Sequence, residues 1–125
     1  MADTGVVVND GLSHVISAVV TAAVAKFIGW GTGTTTSTAS NTALESETIT
    51  IRTTGTMTII TTNTTADTLQ VTGTMTATAA YTISEVGLFN ANASGIMTLR
   101  VTFDAIGLNE SDCIAWTIKM IAVQS

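Results

Sequence analysis

The chain has no proline, one cysteine and one histidine among its 125 residues. With proline absent, turns fall to glycine, asparagine, aspartate and serine. A lone Cys113 excludes an intrachain disulfide; an unpaired cysteine is most often a small buried hydrophobe, and the sequence leaves open whether this one is buried. One histidine and one cysteine also fall short of the usual zinc ligand set, so no metal is expected. Charge is scarce as well: charged residues are 10% of the chain, against about 25% in ordinary soluble domains. The net charge is −5, and the four cations Lys26, Arg52, Arg100 and Lys119 are scattered. Without a basic stripe to release counterions, nucleic acid is not an expected partner. The most hydrophobic stretch, VISAVVTAAVA at 15–25, is bounded by His14 and Lys26. It is shorter than the ~20 residues of a membrane span, so a membrane is not an expected partner either. Asp3 and Asp10 precede the first cation, Lys26. That does not fit the basic start of a secretory signal, and the expectation is a leaderless product made in the cytoplasm. The sequons at Asn63, Asn92 and Asn109 then read as polar turns.

What is present is periodicity. Leu12, Val15, Ile16, Val19, Val20, Ala23, Val24 and Phe27 fall at the spacing of one helical face. Asn9 or Asp10 is the expected cap. Ahead of it Val6, Val7 and Val8 read as a short strand or an N-terminal arm over residues 1–8. Beyond residue 47 the period falls to two. Segments 48–54 and 56–62 alternate isoleucine or methionine with threonine. In 68–79, Leu69, Val71, Met75, Ala77 and Ala79 share one face opposite Thr72, Thr74 and Thr76. A strand at 81–90, a turn ending in Gly95 and a strand at 96–103 predict a hairpin. A turn at 109–112 leads to a last strand, 113–123, with Ile114, Trp116, Ile118, Met120 and Ala122 inward. The pattern predicts one domain over 1–125: a mainly β, jelly-roll-like antiparallel sandwich or flattened barrel with one N-terminal amphipathic helix.

Candidate chemistry is thin. Gly29, Gly31 and Gly33 alternate in FIGWGTGTTTSTASNTALESE at 27–47. A phosphate cradle needs a helix directly after the glycines or a Gly-Lys-Ser/Thr ending, and neither is there. The glycines read instead as a strand end or bulge where backbone approaches backbone. His14 beside Ser13 and Ser17 reads as a solvated residue of the helix rather than a catalytic base. Glu45, Glu47 and Asp67 as a glycosidase pair, and Glu110 with Asp112 as a calcium grip, lack specific spacing. No catalytic residue, cofactor or enzymatic activity is expected. The T-x-T triplets, such as Thr56-Met57-Thr58 and Thr74-Met75-Thr76, suit exposed strand faces. They also suggest an ice-binding face, for which no regular repeat of 20–50 residues is present.

Taken in order, VVVNDGLSHVISAV, FIGWGTGTTTSTASNTALESE, TNTTADTLQVTGTMTATAAYTISEVGLFNA, GIMTLRVTF and DCIAWTIKM resemble a group of small tailed-bacteriophage virion proteins. In that group a GTGT-like turn leads to xTALxxE, an I-(S/T)-E-(V/A)-G-L-F-N strand to a hairpin, and D-x-(I/L)-x-(W/V)-x-I closes the chain. Here Gly31, Gly33, Leu44, Glu47, Glu85, Gly87, Phe89 and Asp112 occupy motif positions and read as fold determinants. Glu85 interrupts an apolar run, so if buried it must meet donors such as turn amides. Trp30 stands where the group usually has a smaller residue, marking either a contact surface or the core. The resemblance implies a capsid decoration, or cement, protein on the outer surface of the head. Its implied partners are the major capsid protein and itself, as a homotrimer; composition alone makes Val6, Val7, Val8 and Trp30 the candidate interface. A tail-tip or fibre-collar component is the alternative within the group.

Overall fold

The computed structural model describes residues 8–48 and 52–122. The apolar stripe forms helix α1 (Asn9–Ala22), which buries Leu12 and Ile16 and packs Val19 and Val20 against the core. Val15, on the edge of that stripe, remains 52% exposed. The cap is extended Val8, without a side-chain cap bond. Asn9 and Asp10 fall inside the first turn, where the Asp10 carboxylate suits the positive helix end. The helix stops before Phe27 because Ala23 turns left-handed (φ 53°) and its N–H bonds back to the Val20 carbonyl. Of the expected arm, Val6 and Val7 lie outside the described residues, and Val8 is 63% exposed.

Seven strands follow among the described residues: β1 (Phe27–Gly31), β2 (Thr53–Thr54), β3 (Thr56–Ile60), β4 (Thr68–Thr76), β5 (Tyr81–Phe89), β6 (Met97–Leu108) and β7 (Cys113–Ile121). They form two antiparallel sheets, ordered β2-β1-β5-β6 and β3-β4-β7. No ladder joins β2 to β3 or β6 to β7, so of the two expected architectures the sandwich is the one present and the closed barrel is not. The strand read at 48–54 is described only at Thr53–Thr54, since Ile49 and Ile51 lie outside the described residues. Strand β4 ends three residues short of Ala79, and β6 runs five residues past Phe103.

The core lies between the sheets. Ile28 and Trp30 of β1, Leu69 and Val71 of β4, and Ile83, Val86 and Leu88 of β5 form one buried cluster. Pairing between β5 and β6 shifts between Ile83 and Glu85. The irregularity changes the side-chain parity, so Ile83 and Val86 both reach the core while Glu85 does not. On the edge strand β3, Ile59 pairs with core Leu69 yet stays 39% exposed, with no neighbour strand beyond it among the described residues. Phe103 and Trp116 close the side where β6 meets β7, their rings 5.7 Å apart. The hairpin turn has Gly95 at φ 73°, a conformation in which L side chains are strained.

Candidate functional site

The outward face of the four-stranded sheet is unusually bare of side chains. Register places Gly31 opposite Glu85, Gly29 opposite Gly87 and Phe27 opposite Phe89. Over this glycine strip lies the segment 32–48. Thr32 N–H donates to the Ser46 carbonyl and Thr48 N–H to the Trp30 carbonyl, and Leu44 sits against Gly87. The alternate glycines are therefore a steric requirement: a Cβ on Gly31 would collide with the Ser46 carbonyl and lie 2.6 Å from Glu85 Oε2. Backbone cannot yield as a flexible side chain can. Gly31→Ala is expected to cost about 1–3 kcal/mol, read as a lower urea midpoint with an unchanged slope.

Glu85 is the centre of this arrangement and is fully buried. Its Oε2 accepts from the N–H of Gly33 (2.9 Å) and Ser46 (2.8 Å), and its Oε1 from Glu45 N–H (2.9 Å) and Arg100 Nε (2.9 Å). Ser84 adds a bond from its hydroxyl to the Gly33 carbonyl. Turn amides and one guanidinium thus satisfy the carboxylate, and they pin both ends of the 32–48 segment to the sheet. A second pair lies beside it. Arg52 holds Glu47 through two parallel bonds of 2.9 and 3.0 Å. It also lies over the Phe89 ring, 3.4 Å from its centroid, and donates to the carbonyls of Ala91 and Ser94 in the hairpin turn. Seven motif positions, Gly31, Gly33, Leu44, Glu47, Glu85, Gly87 and Phe89, meet here. The eighth, Asp112, is exposed elsewhere and accepts from Asn109 N–H in the β6–β7 turn.

Asp67 performs a similar task on the other sheet. Buried at the start of β4, its carboxylate accepts from the N–H groups of Thr62, Asn63 and Thr64 and from the Thr68 hydroxyl. Burial alone would raise the pKa of Asp67. The bonds from Thr62, Thr64, Thr68 and Asn63 outweigh it and hold the carboxyl below its ordinary range. Burial likewise pushes Glu85 up, while Ser46, Arg100, Glu45 and Gly33 together bring it below the usual value. Both folded-state pKa values are depressed, so the stability they contribute is complete above the unfolded values of about 4 and is lost as pH falls below them. The urea midpoint is therefore expected to be flat from neutrality to about pH 5 and to fall steadily below about pH 4. A midpoint that rises on acidification would contradict this.

The remaining sequence candidates do not converge. His14 is exposed on α1. Glu45 accepts from Thr34 N–H, Glu47 is paired with Arg52, and Asp67 closes the β3–β4 connection. Among the described residues, no group of three or more His, Cys, Asp or Glu side chains is placed to hold a metal ion, and no helix is long and apolar enough to cross a membrane. One expectation is corrected: Trp30 is fully buried, so it belongs to the core and not to a contact surface. Cys113 is exposed, on the outward side of β7 opposite Thr76. The threonine face of β3-β4-β7 has one complete row, Thr56–Thr72–Thr117; the next row is Thr58–Gln70–Lys119. A charge and an amide interrupt the array after one rank.

Comparison with protein-family models, with characterised proteins and with solved structures returned no match.

Proposed function

We propose that the chain is a structural protein of a tailed-bacteriophage virion, a decoration protein that binds the outer surface of the head and reinforces the major capsid protein as a homotrimer. One observation carries this reading. Seven of the eight motif positions that carry the resemblance, all but Asp112, meet around Glu85 and Arg52 in one hydrogen-bonded assembly. The buried ionisable groups Glu85, Arg100, Arg52 and Asp67 join separate chain segments. Such groups build a rigid module, and a module that binds the assembled shell in preference to its dissociated subunits stabilises the shell by mass action. Sparse surface charge of net acidic sign also suits a protein exposed to released nucleic acid.

With Trp30 in the core, the contact surface moves to the sandwich edges. Val101 and Ile106 of β6 and Ile121 of β7 are exposed apolar residues on strands that, among the described residues, have a neighbour on one side only. Edge strands of this kind pair with other chains unless protected. Light scattering behind a sizing column is expected to give three times the 12.8 kDa chain mass. A monomer at all concentrations would remove the homotrimer from the proposal.

A further inference from the structure

One sheet has four strands and the other three, and the two are offset. Ile28 of β1 and Thr53 of β2 lie against Gly73 of β4, the middle strand of the three. That offset sets β5 over β7 and leaves β6 overhanging, with no strand opposite it among the described residues. Exposure follows the overhang. Ile83 and Val86 of β5 are 0% and 3% exposed, whereas Ile106 and Val101, their register partners on β6, are 41% and 39% exposed.

The uncovered place beneath β6 is the shape of one strand. It is bordered by the free edge of β7, nine residues long with Lys119 as its one charge. Edges that resist pairing carry several charges or proline, and this one has a single lysine. A strand added there would bond to the β7 backbone and lay alternate side chains beneath Val101 and Ile106. The segment that leads into α1 has the matching chemistry. Val8 is extended and exposed, and it ends a run of three valines, a residue type that suits strands. Residues 4–8 carry no charge, and Asp3 ahead of them is opposite in sign to Lys119. The helix itself packs on β3 and β4, away from the β7 edge.

We propose that residues 3–8 of one copy add as an antiparallel strand to the β7 edge of a neighbouring copy, completing its three-stranded sheet beneath β6. With Asp3 opposite Lys119, Val6 falls opposite Trp116 and Val8 opposite Ile114, both on the inward side of β7. One register thus pairs the charges outside and the apolar side chains inside. The proposal rests on the homotrimer above in needing a second copy, and not on a place on the phage head. A contact between two different surfaces of the chain closes into a ring, as three copies require.

The test is isotope-filtered NMR on the full chain, with half of the copies 13C-labelled and half unlabelled. Contacts from the Val6 and Val8 methyls of one copy to Val101 or Ile106 of another are expected. The outer β7 amides should exchange at least about 100-fold more slowly than unpaired backbone. Val6→Lys should remove both signals and raise the concentration of half-dissociation at least about tenfold, because it sets a charge against an apolar face. Contacts that arise only within one copy, β7-edge amides that exchange unprotected, or a Val6→Lys chain that associates like wild type would each overturn the proposal. In those cases trimers of unchanged mass would leave the homotrimer standing, whereas a wild-type monomer at all concentrations removes both.

Discussion

Glu85→Ala is expected to lower stability by about 3–5 kcal/mol, enough to leave a domain of ordinary stability partly unfolded at 37 °C. The loss has two sources. Arg100, 3% exposed, becomes a buried charge without its counter-ion. The N–H groups of Gly33, Glu45 and Ser46 lose their acceptor while the 32–48 segment still holds them against the sheet. Glu85→Gln separates the two sources. It keeps shape and one acceptor oxygen but turns an NH2 group toward donors, so it should fall between wild type and alanine. It should also weaken the acid dependence, since one of the depressed carboxylates is gone. Equal stability of Glu85→Ala and wild type in urea would show that the buried network adds nothing net.

Trp30→Ala should be of similar size, about 3–5 kcal/mol, because it empties a fully buried indole from the centre of the sandwich. Trp30→Phe is expected to be far milder. The indole N–H of Trp30 is buried without a partner among the described residues, so phenylalanine loses area but also removes an unsatisfied donor. This pair of variants distinguishes core from contact surface. A core tryptophan changes the urea midpoint of the chain itself. A surface anchor would leave that midpoint alone and change only association.

The strands were legible where one face is wet. In β4 polar Thr68, Gln70 and Thr72 alternate with Leu69 and Val71, and in β7 Ala115, Thr117 and Lys119 alternate with Ile114, Trp116 and Ile118, which marks the inward set, as Gly95 marks the hairpin turn. The same alternation already implied that Cys113, one residue before inward Ile114, points out; the general burial of cysteine argued the other way and was overridden by parity. Trp30 was ambiguous for a related reason. Flanked by Gly29 and Gly31, it has no polar neighbour from which to read a wet face, and both glycines turned out to lie beneath another chain segment. Glu85 was visible as a carboxylate in an apolar run. Its partner Arg100 lies across the β5–β6 pairing, and Arg52 meets Glu47 outside any strand ladder. Pairings of that kind depend on register and loop path, which periodicity does not carry. The end of α1 was missed because Ala23 adopts a left-handed conformation usually taken by glycine.

The central claim, that this chain coats the head of a phage particle, is tested most directly by immunogold labelling. An antibody raised against the purified domain would be applied to particles released from cells that carry the coding sequence. Gold distributed over the heads of tailed particles is the predicted result. Gold confined to tail tips or collars, or particles that carry none, would contradict it.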